Sequence, residues 1–464
     1  MTNQSRAAFA CSLASPLEKE GRAARVPMTL AILLLTVYFL VLPALTAHAA
    51  MNIQEVKSEK GITAWLVEDH TAPIVAIRFV FAGGTSQDPV GKEGLAYLMS
   101  ALLAEGAGDL DNDAFQTKLD DAGAEMSFNA YRDSIDGSMR MLSEQKDAAF
   151  DLLALAVNKP RFDLAAVDRV GSQIISGIIA NERDPEAIAE RKWRRALYGT
   201  HPYSRPDEGT KVSLAGITPA DLGAFHKATF ARDGLHVVVV GDIDAKTLGD
   251  KLDRLFGELR EKQTLSPVAD VAAGLGQQVE VNYDLPQTSL QLVYPGVARS
   301  DPRFFAAVLT NEILGGSYFT SRLYEEVREK RGLAYGVGSY LAENEHSDEL
   351  VITTATRSDR ANETLSIVRR VVKDLAETGP TEAELEAGKK HVIGAFAIDN
   401  LHSSSSIAAT LVGLQLDNLG IDYIQRRAAI IDQVTLDQVK ATAKELLSAE
   451  PSIRVVGPPL GGKE

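Results

Sequence analysis

The chain has 464 residues, of which 45% are hydrophobic and 24% charged, and its formal net charge is −15. Length and composition fit a globular protein of two or more domains, each large enough to bury its own core. The acidic excess excludes a general nucleic-acid or anionic-membrane surface, because a phosphate backbone would repel it.

The first fifty residues read as a secretory signal segment. Arg22 and Arg25 precede an apolar run from Met28 to Leu42, and small residues follow, ending in Ala47-His48-Ala49-Ala50. A positive flank, a short apolar stretch and an A-x-A site together make an export signal. The run is short for a spanning helix, and an uncleaved N-terminal membrane anchor is the alternative to cleavage. The long stretch before Arg22 makes Met28 a second candidate start beside Met1. The sole cysteine, Cys11, falls inside this segment. A mature form would carry no thiol, which excludes disulfides, cysteine-ligated zinc and thiol catalysis.

Beyond residue 50 the same parts occur twice. Alternating apolar residues from Ile74 to Phe81 predict a strand, closed by Gly83-Gly84 and Asp88-Pro89. Gly94 to Leu103 follows with Leu95, Leu98, Met99 and Leu102 at helical spacing, the pattern of a core helix. Asp184-Pro185 marks a turn, with Glu182 and Glu190 expected as solvated helix positions. Thr218 is placed to cap an amphipathic helix, and Leu235 to Val240 is a second β run. The segment 262–278 contains Pro267, Gly274 and Gly276, lacks strong periodicity and is assigned as a linker.

The second half repeats the order. Ser289 to Tyr294 is a strand signal, closed by Pro295-Gly296 and Asp301-Pro302, with a helical pattern near 303–314. Gly315-Gly316 predicts a helix C-cap and tight turn. Thr435 caps another helix, and Ser452 to Val456 closes the series. Such spacing points to a diverged duplication, with domains at 51–261 and 279–464. Strands and long helices alternate in blocks, so the fold class is α+β.

Two segments carry a resemblance. Leu314 to Tyr340 contains Ser321-Arg322-Leu323 and then Arg328-Glu329-Lys330-Arg331-Gly332-Leu333-Ala334-Tyr335. This is similar to the C-terminal-domain segment of the M16 (insulinase/pitrilysin-like) zinc metallopeptidases, S-R-L followed by R-x-x-x-G-L-x-Y. In the first half, Gly94-Leu95-Ala96 resembles the lead-in to that family's inverted H-x-x-E-H motif. Positions i, i+3 and i+4 share one helical face, which lets two imidazoles bind a zinc ion while a carboxylate activates its water.

Here the three motif positions are Tyr97, Ser100 and Ala101, and none can do that chemistry. The positions facing them on the helix before Asp184-Pro185, where the family has a glutamate ligand, are Ser176 and Gly177. None of the eight histidines pairs with another at i, i+3 or i+4. No cofactor is therefore expected on this chain.

The resemblance implies two homologous domains of the M16 peptidase/LuxS-like metallohydrolase type. Each would be a mostly antiparallel sheet packed with helices, and together they would form half of a clamshell. It further implies a zinc-less subunit of a heterodimer, whose homologous partner bears the zinc. Arg328 and Tyr335 would make substrate and oxyanion contacts in trans, on a peptide or unfolded polypeptide. The export signal places such an assembly in the periplasm of a Gram-negative bacterium. A scaffold subunit with no catalytic contribution, or a periplasmic peptide-binding homodimer, are the alternatives.

Overall fold

The computed structural model describes residues 51–316 and 319–460. The expected signal segment, with Cys11 and His48, lies outside the described residues. Among the described residues no helix is long and apolar enough to cross a membrane.

Two sheets dominate. The first contains β1 (Gln54–Lys57), β2 (Thr63–Glu68), β3 (Ile74–Ala82), β4 (Glu125–Ala130), β5 (Ser134–Leu142) and β6 (Leu235–Gly241), in the order β1-β2-β6-β3-β5-β4. The second contains β7 (Gln278–Asn282), β8 (Gln287–Pro295), β9 (Ala334–Glu343), β10 (Asp348–Arg357) and β11 (Ser452–Gly457), in the order β7-β11-β8-β10-β9. With β1 set aside, the two orders are the same strand for strand. Each has one parallel pair in the same place, β2 with β6 and β7 with β11, and antiparallel neighbours elsewhere. The fold is α+β with an internal repeat.

The predicted caps form in both halves. Thr218 and Thr435 each accept a backbone N–H from the third helical residue, whose side chain returns the bond. Each satisfies donors that a helix start leaves open.

The halves are not separate lobes joined by a tether. Helix Pro185–Tyr198 belongs to the first half in sequence but packs on β7 and β11 of the second sheet. Its Trp193, Leu197 and Tyr198 share a buried cluster with Val293 and Val351. In return, helix Ser404–Leu416 of the second half packs on β3 and β6. Glu190, expected to be solvated, instead pairs with Arg194 at 2.9 Å and with Arg454 of β11 at 2.7 Å. The expected linker holds no helix or strand across 262–277, yet it is strapped down. Gln263 donates to the carbonyl oxygen of Ala82 at 2.7 Å, Val271 N–H to His346 at 2.8 Å and Gly274 N–H to Leu197 at 2.8 Å.

Candidate functional site

The degenerate zinc positions are set by an ordered helix start. Helix Leu95–Leu102 begins at Gly94, whose φ of 91° is left-handed. A β-carbon there would also sit 2.6 Å from the carbonyl oxygen of Glu208, so only glycine fits. Asp88 accepts the N–H groups of Gly94 at 2.7 Å and Ala96 at 2.9 Å, capping the helix from outside. Burial pushes the Asp88 carboxyl up to about 7, against the pull of these bonds and of Arg205. Leu95, Leu98, Met99 and Leu102 are buried, as their spacing predicts.

The opposite face of this helix carries Tyr97, 39% exposed, and Ala101. Ser100 is buried, and its hydroxyl donates to the Tyr97 carbonyl oxygen at 2.8 Å. Helix Leu164–Ala180 packs alongside, with Ser176 and Gly177 exposed. The Ser176 hydroxyl is spent on the Ser172 carbonyl oxygen, at 2.7 Å. The helix framework of an H-x-x-E-H site is thus in place, but the five positions offer neither imidazole nor carboxylate. These residues do not fit a zinc ion.

The second segment is built differently. Helix Phe304–Gly315 ends where Gly315 comes against β9, and a β-carbon on it would lie 2.9 Å from the Ser339 nitrogen. Gly316 has φ of −58°, so close packing, and not a left-handed cap, requires the pair. After it, Arg322 makes a two-pronged contact with Glu384, at 2.7 and 2.9 Å. Desolvation would raise Glu384, but these bonds and those from Thr381 hold it down at about 2. Leu323 and Val327 are fully buried one helical turn apart. Their burial turns Tyr324 and Arg328 toward the surface.

That turn, Tyr324–Glu329, is a single turn of π-helix. Such turns insert one extra residue and recur at functional sites. It leads through Gly332 into β9, the edge strand of the second sheet, near whose start stands Tyr335, 87% exposed.

Arg328 and Tyr335 come together. The guanidinium lies 4.8 Å from the Tyr335 ring centroid and 4.7 Å from that of Tyr324. Cation–π contacts of this kind fix an arginine without using its N–H donors. Among the described residues, neither the Arg328 fork nor the Tyr335 hydroxyl makes a hydrogen bond. The closest charged group to the fork is Glu329, at 3.9 Å. Phe319, 74% exposed, meets Tyr324 edge-on at 5.4 Å.

The site is therefore an aromatic cradle holding a partly exposed arginine beside an open phenol. Tyr324 and Phe319 were not singled out from sequence. The signal for Tyr324 was its spacing four residues before Arg328, which on a helix makes neighbours. No hydrogen bond, ion pair or ring contact joins this cradle to Tyr97, Ser100, Ala101, Ser176 or Gly177 among the described residues.

Known proteins resemble the chain in both halves. Residues 63–211 match the family described as insulinase (peptidase family M16). Residues 216–392 match the peptidase M16 inactive domain. An uncharacterised zinc protease of Mycobacterium tuberculosis is 27% identical over 402 residues, covering 86% of this chain and 90% of the relative. A non-peptidase homolog of Helicobacter pylori is 25% identical over 394 residues, covering 84% and 90%. The crystal structure of a peptidase M16 inactive domain from Pseudomonas fluorescens superposes with a TM-score of 0.81 at 30% identity, covering 89% of this chain and all of that one. A Helicobacter pylori protease structure shares the fold at a TM-score of 0.77 and 17% identity. With both halves matched and the strand order repeated in each, the chain belongs to the M16 peptidase family.

Proposed function

We propose that this chain is the zinc-less subunit of a two-chain M16 peptidase, exported from the cytoplasm, and that it lends Arg328 and Tyr335 to the active site of a zinc-bearing homologous partner. The observation that carries this reading is the cradle itself. An exposed phenol and a partly exposed guanidinium stand in cation–π contact, without hydrogen-bond partners among the described residues, in a chain whose own metal positions are empty of ligands.

The division of labour has a chemical logic. Hydrolysis of a peptide bond places negative charge on the scissile carbonyl oxygen as the tetrahedral state forms. The Tyr335 hydroxyl can donate to that oxygen, and preorganised donors of this type are worth roughly 3–4 kcal/mol in other hydrolases. Arg328, held by two rings, offers a planar fork that can grip a substrate carbonyl and fix its register. The metal and its bound water belong to the partner, and no step at a metal is assigned to this chain. An extended or unfolded polypeptide is the substrate class, because such a site reads main-chain groups.

Mixing decides between this reading and the scaffold and homodimer alternatives. The chain alone should cleave no fluorogenic peptide. Combined with a homologous M16 subunit that carries an intact H-x-x-E-H, it should co-elute as a heterodimer with peptidase activity that neither chain shows alone. A stable heterodimer without such activity would favour a scaffold role, and a homodimer that ignores the partner would favour peptide binding alone.

A further inference from the structure

The two sheets carry equivalent hairpins at one end, β4–β5 in the first and β9–β10 in the second, and the tips of these hairpins meet. Asp133 is in the β4–β5 turn; Glu345 and His346 are in the β9–β10 turn. One ligand atom from each of the three lies within 4.8 Å of the other two. The backbone around them is fixed. Glu345 N–H donates to Asp133 Oδ2 at 3.3 Å, His346 N–H reaches the Tyr203 oxygen at 3.1 Å, and the Tyr203 hydroxyl in turn donates to Asp133 Oδ2.

Among the described residues no lysine or arginine forms an ion pair with Asp133 or Glu345. Arg132, next to Asp133 in sequence, lies instead over the rings of Tyr198 and Tyr203, at 5.5 and 4.9 Å. Asp133 Oδ1 is enclosed and has no hydrogen-bond partner. A buried carboxylate oxygen left open beside a second carboxylate is costly unless a cation sits against it.

His346 Nδ1 lies 3.0 Å from an Asp270 carboxylate oxygen, and its Nε2 makes no hydrogen bond among the described residues. A carboxylate on the far side of an imidazole is the usual outer partner of a histidine ligand. Asp133 and Glu345 also line a cavity of about 880 Å³ between the halves, shared with Asp207, Asp348 and Asp417, which gives an ion and its waters a way in.

We propose that Asp133, Glu345 and His346 bind one divalent cation of the first transition series, completed by water from the cavity, and that the ion staples the two hairpin tips together. The imidazole favours zinc over magnesium or calcium, which prefer all-oxygen sites. This site is separate from the M16 zinc motif, since it uses none of the positions on helices Leu95–Leu102 and Leu164–Ala180. Its ligands are far apart in sequence, which is why spacing along the chain pointed to a cofactor-free protein.

The test uses the tag-free chain alone, stripped with chelator, so that its outcome is independent of any partner or peptidase activity. Titration with Zn²⁺ by calorimetry should give one saturable site per chain that persists in excess Mg²⁺ and raises Tm. Asp270→Asn should weaken that site by roughly 10–100-fold, as loss of an outer partner does, and Glu345→Gln and His346→Gln by at least as much. Glu345 is exposed at a turn, so its variant tests the site even if another misfolds. No saturable site, or one that Glu345→Gln leaves untouched, would overturn the proposal.

Discussion

Tyr335 and Arg328 depend on each other before any substrate arrives. An exposed tyrosine on an edge strand has rotamer freedom to lose, and stacking against the guanidinium removes part of that cost in advance. Tyr324 adds a second ring contact to the same guanidinium at 4.7 Å. His226 shows the opposite use of an aromatic neighbourhood. It lies against Phe230 with ring centroids 4.4 Å apart, and its Nε2 is 2.9 Å from the Val157 carbonyl oxygen, which a neutral ring N–H there can reach. Burial pulls its pKa down to about 4, against the pull of that bond.

The folded state therefore holds His226 neutral where the unfolded chain would protonate it. Stability from this residue is complete above an unfolded pKa near 6.5 and is lost as pH falls from there toward 4. The loss amounts to about 3 kcal/mol at most. Urea midpoints measured between pH 7 and pH 4 should fall for the parent chain and fall less for His226→Gln. Equal slopes would show that His226 is not the group responsible.

At the scale of elements, the helix that holds the degenerate metal positions has a firmly fixed start. Gly94 starts it in left-handed backbone, and Asp88 caps it. Gly94→Ala should cost about 1–2 kcal/mol from the backbone alone, and more from the clash with Glu208. Thermal unfolding of that variant measures this, and an unchanged Tm would refute the tight start.

Much of this was legible in sequence. Period-two runs marked β3 and β8, β runs marked β6 and β11, and threonines at 218 and 435 announced their helix caps. The π-turn was not legible, because Tyr324 to Glu329 has the composition of any charged helix and the extra residue is fixed by tertiary packing of Leu323 and Val327. Nor was Glu190 in contact with Arg454, since a helix's apolar spacing says that one face is buried but not which sheet buries it. The proximity of Arg328 to Tyr335 followed the resemblance, whereas the Tyr324 ring beneath Arg328 became visible only in three dimensions.

For the whole molecule, the exchange of helices Pro185–Tyr198 and Ser404–Leu416 makes the duplicated halves one unit. Each sheet is completed by a helix from the other half, and the strap across 262–277 is bonded at several points along its length. This arrangement holds the edge strand β9, with Tyr335, at a fixed place on the outer surface, as a surface offered to another chain would require. A second M16 chain that kept the H-x-x-E-H could then close over it.

The most direct measurement is steady-state peptidase kinetics of the reconstituted heterodimer carrying Tyr335→Phe. Loss of one phenolic O–H should lower kcat by roughly 10²–10³-fold, while KM and the affinity between subunits stay near their parent values, since only the transition state uses that donor. Turnover equal to that of the parent complex would contradict the account and leave this chain without a part in the chemistry.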